Sequence, residues 1–419
     1  MPDVAELPAG PLSEELKSQL VAGDPAAGDE IGPITPDRGA LAIAAPRIEG
    51  ARIGPRGNGP KSNEGSGGLG GRSKGNRGRL ALSKGGTPET EAAVELGLYW
   101  LMRHQQPDGG WSFNQESICQ GDCRNQGSFH SRNAATGLAL LPFLGAGYTH
   151  RTGPYRTVVD NGLRFLERSM LPGGDLHEDS MYSQGVATIA LCEALAMTDD
   201  SRLRPVAQEA IDFIVLSQGR DGGWRYSPRQ PGDTTVLGWQ VMALKSGKLA
   251  GLYVPSTAFS GAVEFLDSVQ THGGVVYGYQ TRNDRPVKLR KPEGRMATTA
   301  IGLLMRMYTG WKNDRPALMR GVGLLERRGP DPFDMYFDYN ATQVMHHFGG
   351  SSWMHWNEKM REILLRTQSL EGHERGSWYI PHDSARAGGR LYCTAMGIMT
   401  LEVYYRYMPL YGEKAASGF

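Results

Sequence analysis

The segment Ala207-Gln-Glu-Ala-Ile-Asp-Phe-Ile-Val-Leu-Ser-Gln-Gly-Arg-Asp-Gly-Gly-Trp224 contains the structural unit on which this chain is built. Its first part is an amphipathic helix, because Ile211, Ile214 and Val215 recur at helical spacing. Its second part is a turn in which the glycine pair allows a backbone position with positive φ. The tryptophan that ends the turn offers a large apolar face and one N–H donor. The structural unit is therefore an amphipathic helix followed by a glycine-containing turn that ends in tryptophan.

The same unit recurs along the sequence. Two further good copies end in Gln106-Pro-Asp-Gly-Gly-Trp111 and in Gln368 followed by Gly376-Ser-Trp378, and three weaker copies contain the apolar pairs Phe165-Leu166, Phe265-Leu266 and Leu324-Leu325. After each turn comes a second helix that is rich in Ala, Thr, Gly, Leu and Met and poor in charge. A helix without a polar face is buried. We predict these buried helices over 132–146, 181–196, 233–247, 296–310, 338–348 and 391–407.

The repeats predict an all-α fold. Six amphipathic helices around six buried ones form an (α/α)6 toroid, since a repeat that cannot bury its own apolar face must stack on its neighbours. Length alone would suggest two or three domains, at about 150 residues per domain. The closed ring instead predicts one domain over residues 89–419.

Residues 1–88 have a different composition from the rest of the chain. They contain 18 Gly, 10 Pro and no aromatic residue, and they are acidic over 1–50 and basic over 51–88. Such a segment cannot bury enough apolar area to offset the entropy of ordering, so we predict a disordered tail. Its start lacks the features of a secretory signal, which leaves the cytoplasm as the default location.

Charge and hydropathy exclude several classes of protein. The 45 Lys and Arg residues nearly cancel 44 Asp and Glu residues, for a formal net charge of +1, which argues against a nucleic-acid-binding protein. No run of about 18 apolar residues is present, so the chain encodes no membrane-spanning helix. Peripheral contact with a membrane through the basic half of the tail stays open.

The turns and their number resemble the prenyltransferase and squalene-cyclase repeat superfamily, whose fold is the (α/α)6 toroid. In that family the glutamine links helix ends and the tryptophan packs on the neighbouring repeat. The resemblance assigns these roles to Gln106, Trp111, Gln218, Trp224, Gln368 and Trp378. Phrases such as Met181-Tyr-Ser-Gln-Gly-Val-Ala-Thr and Ala341-Thr-Gln-Val-Met-His-His resemble a subgroup typical of planctomycete bacteria, which has no assigned activity.

The chemistry of that superfamily is only partly represented. Terpene cyclisation by acid catalysis needs an Asp-x-Asp-Asp motif, and of this motif only Asp233 is present, so it is the one candidate catalytic acid. Its alternative role is to cap the helix that follows. The pair Asp199-Asp200 lacks the third carboxylate of a Mg²⁺-binding motif, and Cys123 lacks the Asp-x-Cys context of a prenyltransferase zinc site. We therefore expect no cofactor.

The buried helices supply candidate ligand-binding side chains. Asn340, Gln343 and His347 share one helix face. If such faces line the centre of the ring, they suit a ligand with an apolar body and a polar head. The alternative to ligand binding by His346 and His347 is that one is a buried core residue and the other lies at the rim of the ring. The candidates for the cavity wall are Gln184, Trp239, Gln240, Tyr339, Gln343, His346, His347 and Tyr392.

Cys119 and Cys123 lie in the loop between the first turn and the first buried helix. Their spacing fits a disulfide, or a metal pair completed by His130 or His104, and two thiols without such a role are the third possibility. No second Cys pair follows, so the spacing is not that of a standard zinc motif and we predict no metal site.

Three functions remain open from the sequence. The first is a terpenoid-cyclase-like or prenyltransferase-like ring that binds an isoprenoid or another amphipathic lipid and, as a further hypothesis, converts it with Asp233 as the proton donor. The second is a non-catalytic toroid that binds a protein or ligand. The third, a polysaccharide hydrolase or lyase, rests on carboxylate pairs such as Asp334 and Asp338, and the Gln–Trp turns argue against it.

Overall fold

A computed structural model describes residues 69–72, 74–178, 180–282, 285–286, 296–407 and 410. A 3₁₀ turn over Gly70–Arg72 comes first. The helices are α1 Lys74–Lys84, α2 Pro88–Arg103, α3 Glu116–Cys119, α4 Arg132–Gly145, α5 Arg156–Ser169, α6 Met181–Thr198, α7 Leu203–Leu216, α8 Thr234–Leu249, α9 Ser256–Val269, α10 Met296–Tyr308, α11 Pro316–Arg328, α12 Met335–Phe348, α13 Gly350–Thr367, α14 Asp383–Leu401 and α15 Val403–Arg406. Two short antiparallel hairpins pair β1 Gln270–Thr271 with β2 Val276–Tyr277 and β3 Thr281–Arg282 with β4 Arg285–Pro286.

The even-numbered helices α4 to α14 form a closed inner ring. Each packs on the next one, and α14 packs back on α4. Helices α2, α5, α7, α9, α11 and α13 lie outside, and each precedes its inner partner along the chain. The predicted (α/α)6 toroid is therefore confirmed. Within the described ranges, none of the helices combines the length and the hydropathy that crossing a membrane requires.

The two kinds of helix differ as their sequences predict. In α6 every residue from Ser183 to Leu195 is buried. In α5 the buried residues are Val159, Gly162, Leu163 and Leu166, which form one stripe at helical spacing. A helix that is apolar on every side is shielded from water only when other helices surround it. The sequence of α6 therefore favours a position inside the ring.

The last inner helix differs from its prediction. The sequence predicts it over 391–407, whereas α14 starts at Asp383 and the chain breaks its helical path at Glu402 before α15. Gly389 interrupts α14 with a φ of +60°. A Cβ there would overlap the backbone nitrogen of Gly127, so the loop before α4 packs directly on this glycine.

The Gln–Trp turns connect each repeat to the next. Gln218 donates to the carbonyl of Gly222 in its own turn at 2.8 Å and to that of Ala258 in the next outer helix at 2.9 Å. Gln368 makes the matching bond to Ala93 of α2 at 2.8 Å, which closes the outer layer. The indole N–H groups of Trp111, Trp224 and Trp378 each donate to a carbonyl of the preceding outer helix, at 2.8 Å.

The first turn corrects one assignment. The sequence aligns Gln106 with the linking glutamines, but it is Gln105 that donates to Gly109 and to Val158 of α5, both at 2.8 Å. The side chain of Gln106 instead exchanges hydrogen bonds with the hydroxyl of Ser117, which lies at the surface. Gln105 stands six positions before Trp111, the spacing that Gln218 has to Trp224, so the correct register could have been read from the better copy.

The boundary of the predicted tail also needs correction. Residues 1–68 lie outside the described residues, but residues 74–84 form α1, which packs on α15. Arg72 is only 1% exposed, and Ala81 is equally buried. This segment can be ordered without an aromatic residue of its own, because it packs on apolar surface that the ring provides. Its basic residues form ion pairs with the ring, as Arg77 does with Glu91 and Glu95.

Candidate functional site

The inner helices begin at one end of the ring, and their first turns carry the candidate site. Ser180, Asp233 and Asp334 cap α6, α8 and α12 by accepting hydrogen bonds from backbone N–H groups. Parallel inner helices direct the positive ends of their dipoles towards the same mouth of the ring. A negative charge or an electron-rich group is therefore favoured at this end.

Asp233 is a buried N-cap. Its Oδ1 accepts from the N–H groups of Thr235 and Val236, both at 2.9 Å, and from the Thr235 hydroxyl at 2.6 Å. Among the described residues, Oδ2 has no hydrogen-bond partner although it is buried. Burial raises the pKa of Asp233, and hydrogen bonds from Thr235 and Val236 oppose that shift. Asp233 therefore has the capping role that the sequence indicates as its alternative function, and the cap uses only Oδ1.

Aromatic side chains from α6, the neighbour of α8 in the ring, and from α12, its next-but-one helix, meet next to Asp233. The Tyr182 hydroxyl donates to the Thr235 hydroxyl at 2.6 Å. The Tyr336 hydroxyl donates to the Thr235 carbonyl at 3.2 Å and accepts from the indole N–H of Trp239 at 3.1 Å. The polar atoms of these rings are therefore bonded within the wall, and what remains towards the centre is their apolar surface.

Three of the tyrosines keep accessible surface deep inside the ring. Tyr182, Tyr336 and Tyr392 are partly accessible, yet burial raises the pKa of each hydroxyl well above its ordinary value. A side chain that lines an enclosed space keeps some accessible surface, but the surrounding protein still shields its hydroxyl from bulk water. Their side chains therefore border the interior of the ring. We call Tyr182, Trp239, Tyr336, Tyr339 and Tyr392 the aromatic belt.

The aromatic belt also narrows the interior. Trp239 of α8 and Tyr339 of α12 stack with centroids 6.1 Å apart and planes 12° apart, and they are 4% and 2% exposed. Helices α8 and α12 are separated in the ring by α10, so this stack bridges part of the central space. The stack therefore reduces the open width between these two helices.

A buried ion network closes the opposite end of the ring. Glu193 of α6 contacts Arg72 at 2.8 Å and Arg406 at 3.2 Å, and it accepts from the Tyr407 hydroxyl at 3.1 Å. Arg406 also pairs with Glu402 at 3.2 Å. Burial acts to raise the pKa of Glu193, but Arg406 and Arg72 outweigh it and hold the pKa below its ordinary value. The charges are placed at the carbonyl ends of the inner helices, where cations are favoured.

The structure assigns the predicted glutamines of the wall to structural contacts. Gln184 donates to the carbonyls of Gly174 at 2.9 Å and Ala210 at 3.1 Å, the same linking pattern as in the Gln–Trp turns. Its amide hydrogens are thereby used, so it has no donor for a ligand. Gln240 donates to the Met181 carbonyl at 2.7 Å between α8 and α6.

The cluster on α12 is buried at the closed end. Gln343 accepts from the Tyr308 hydroxyl at 3.2 Å, and the same hydroxyl lies 3.4 Å from Nε2 of His347. Burial lowers the pKa of His347 to about 3 and that of His346 well below its ordinary value. His346 packs edge-on against Trp353 of the outer helix α13, with centroids 5.0 Å apart. It therefore lies between the two helix layers and away from the aromatic belt.

A second cluster joins the first and last repeats. Cys119 and Cys123 are free thiols and not a disulfide. Together with His104 and His373 they place four possible ligand atoms within 4.8 Å of one another. His104 is one of the two histidines that the sequence suggested, whereas His130 is exposed and outside this cluster.

Comparison with known proteins gives a family match over part of the chain. Residues 79–193 match the family model of the squalene-hopene cyclase C-terminal domain, and the match begins inside α1. A drimenyl diphosphate synthase of Streptomyces showdoensis is 23% identical over 193 residues, which are 44% of this chain and 32% of the synthase. Over this part of its length the chain resembles the squalene-cyclase-like superfamily. The matched region covers about a third of that relative's length, and the resemblance to the planctomycete subgroup stays a prediction.

Solved structures of a terpene cyclase and of a mannanase have the same fold. The type II terpene cyclase MstE from Scytonema, bound to geranylgeranyl dihydroxybenzoate, superposes with a TM-score of 0.51 at 14% identity, covering 76% of this chain and 97% of the cyclase. An alpha-1,6-mannanase of Salegentibacter, bound to a mannotetraose and inactivated at two adjacent aspartates, superposes with a TM-score of 0.53 at 10% identity, covering 76% and 99%. At these identities the likeness concerns the fold alone.

Two residues of the belt were missing from the sequence-based candidates. Tyr182 and Tyr336 each stand two positions after the N-cap of an inner helix, where α8 has Thr235. Aligning the inner helices on their caps would have found both. Arg72, Glu193 and His373 carry no comparable signal, since their partners lie far away in the sequence.

Proposed function

We propose that the ring binds an isoprenoid or a similarly slender apolar chain against the aromatic belt. The observation that carries this proposal is the partly accessible tyrosines of α6, α12 and α14 in a strongly desolvated interior. Because the polar atoms of Tyr182, Tyr336 and Trp239 are bonded within the wall, apolar ring surface is what a ligand would meet. Such surface favours hydrocarbon and attracts positive charge to the ring faces. The isoprenoid-bound terpene cyclase with the same fold supports the ligand class.

Asp233 is the candidate acid of this proposal. Its unpartnered Oδ2 and its raised pKa favour a protonated carboxyl, which is the form that can protonate an alkene. Asn is as good an N-cap as Asp, so Asp233→Asn keeps the cap and removes the proton. On an isoprenoid that the protein converts, we expect this variant to lose turnover while it still binds the substrate. Undiminished turnover would remove Asp233 from the mechanism and leave a binding protein.

The polysaccharide alternative has weaker support in this chain. The mannanase with the same fold is inactivated at two adjacent aspartates. In this sequence two adjacent aspartates occur at Asp199-Asp200. Asp199 is an exposed C-cap of α6 that pairs with Arg204 at 2.9 Å, and Asp200 pairs with His150 at 2.8 Å. Both therefore lie at the end of α6 opposite to the mouth.

The proposal is tested by ligand capture. Purified protein is extracted for co-purifying lipid and is then titrated with geranylgeraniol under native mass spectrometry. We expect one bound molecule, and about tenfold weaker binding for Trp239→Leu, since loss of an aromatic wall contact of ~1.4 kcal/mol corresponds to that factor. The control is Tyr253→Leu, because Tyr253 is 74% exposed on the outer surface. Absence of binding to the wild-type protein would contradict the proposal and favour a protein-binding toroid.

A further inference from the structure

His104, Cys119, Cys123 and His373 converge from two ends of the domain. His104 ends α2, Cys119 ends α3, and Cys123 follows in the loop that leads to α4. His373 lies in the turn between α13 and α14, some 250 positions from Cys123 along the chain. Three of the four side chains are buried, and His373 is partly buried. The first and the sixth repeats therefore each contribute to one small polar cluster where the ring closes.

The spacing of the ligand atoms fits a tetrahedral metal ion. Nε2 of His104 lies 3.4 Å from Sγ of Cys123, and Nδ1 of His373 lies 3.2 Å from the same sulfur. With metal–sulfur bonds of about 2.3 Å and metal–nitrogen bonds of about 2.0–2.1 Å, tetrahedral angles separate such ligands by roughly 3.3–3.8 Å. These two distances are close to that range, and since all four ligand atoms lie within 4.8 Å of one another, the other pairs exceed it by at most about 1 Å.

A backbone carbonyl orients the His104 ring, as is common for metal-binding histidines. Nδ1 of His104 lies 2.6 Å from the Trp100 carbonyl, so this nitrogen carries the hydrogen and donates it. The lone pair of His104 is thereby placed on Nε2, the nitrogen that faces Cys123. A histidine that donates its second N–H to a backbone carbonyl is the usual outer contact of a metal-bound imidazole.

We propose that these four side chains bind one Zn²⁺ ion that joins the first repeat to the sixth across the closure of the ring. Two thiolates and two imidazoles are the donor set that zinc prefers, and four protein ligands leave no coordination position for a substrate. The site is therefore structural and independent of the aromatic belt. Nearby bonds across the same closure, from Arg103 to the His373 carbonyl at 3.1 Å and from the Arg124 N–H to Glu374 at 2.8 Å, hold the two loops at the required distance.

Metal content and cobalt substitution test this inference. Full-length protein produced with zinc in the medium should contain about one equivalent of zinc by elemental mass spectrometry. Reduced, metal-free protein titrated with Co²⁺ should develop the intense visible bands of a tetrahedral site with sulfur ligands. Wild-type protein that holds no zinc and gives no such bands would overturn the proposal, as would non-reducing peptide mapping that finds Cys119 and Cys123 joined as a disulfide.

Variants separate the ligands from other residues of the same kind. Cys123→Ser and His373→Ala should lower the zinc content to about a tenth or less, because first ligands matter at least as much as the outer contacts that change affinity 10–100-fold. The controls are His130→Ala, which is exposed in the same loop, and Cys393→Ala, which is buried on α14. Retention of zinc in the ligand variants, or its loss in the controls, would contradict the assignment. If a ligand variant does not fold, the cobalt titration of the wild-type protein still decides.

Discussion

Two neighbouring glutamines, Gln105 and Gln106, have very different environments. The first bonds two carbonyls, one in its own turn and one at Val158 of the next outer helix. The second contacts a surface serine. A single position at the end of α2 thus separates a residue that connects two repeats from one that does not.

This difference predicts opposite results for two matched variants. Gln105→Ala leaves two carbonyls without their donor, so the free energy of unfolding should fall by about 1–2 kcal/mol. Gln106→Ala should change it by about 0.5 kcal/mol or less, as surface substitutions do. Denaturant unfolding of both variants measures the difference. Equal losses would contradict the corrected register.

Asp338 shows how burial changes a carboxyl group. It is fully buried, and its Oδ1 accepts from the Asp331 N–H at 2.8 Å. Burial, with smaller contributions from Asp334 and Asp331, raises the pKa of Asp338 well above its ordinary value. The folded protein therefore keeps a proton that the unfolded chain has already lost.

The raised pKa predicts how stability depends on pH. From about pH 4, where an ordinary Asp ionises, up to the raised pKa, this group lowers the free energy of unfolding by up to about 1.4 kcal/mol per pH unit. Asp338→Asn removes that slope, so the variant should gain stability relative to wild type as pH rises from 4 to 8. Urea unfolding across this range tests it, with the exposed Asp314→Asn as control. A difference that stays constant with pH would contradict the prediction.

At the scale of elements, the turns are built on close backbone contact. Gly376 has a φ of +93°, and a Cβ there would overlap the Leu96 carbonyl of α2. Gly372, in the same turn, has a φ of +62° but nothing within 4 Å of its Cβ position. The first glycine allows the turn to pack closely on helix α2, whereas the second only allows the chain to reverse.

Alanine variants distinguish these two roles. Gly372→Ala should cost about 1–2 kcal/mol, the penalty of a left-handed backbone for an L residue. Gly376→Ala should cost clearly more, because the turn and helix α2 must also move apart. Thermal unfolding of the two proteins provides the comparison. A Gly376→Ala variant no less stable than Gly372→Ala would show that the turn does not depend on this contact.

At the scale of the molecule, the ring is closed at one end by charges from distant segments. Arg72 precedes α1, Glu193 belongs to α6 and Arg406 ends α15, and all are about 1% exposed. Removing one partner of a buried pair leaves the other charge without compensation. This network therefore connects the residues just before α1 and helix α15 to the inner ring.

Loss of the central carboxylate should weaken the whole domain. For Glu193→Gln we expect the free energy of unfolding to fall by about 3–5 kcal/mol, since two buried arginines lose their counter-charge. Asp199→Asn, which breaks an exposed pair at the end of the same helix, should cost less than about 1 kcal/mol. Chemical unfolding of both variants checks the prediction. Similar small losses would indicate that solvent reaches the network.

The sequence was sufficient to predict the repeat, the inner and outer helices and the closed ring. Apolar spacing along α5 and the continuous apolar surface of α6 are local properties, and so is the chemistry of a Gly–Trp turn. Asp233 as a cap and Trp239 as a wall residue also follow from their positions at the start of an inner helix. The last inner helix was the exception, because its break at Gly389 depends on a loop some 260 positions away.

Only the tertiary structure brought together the residues on which the chemistry depends. His373 meets Cys123, and Arg72 meets Glu193 and Arg406, across separations that no periodicity encodes. The Trp239–Tyr339 stack likewise joins helices that are not neighbours in the ring. Helix formation and turn geometry depend on residues a few positions apart, whereas a closed ring places side chains from distant repeats in contact. That physical difference separates what could be read along the chain from what had to be seen in the fold.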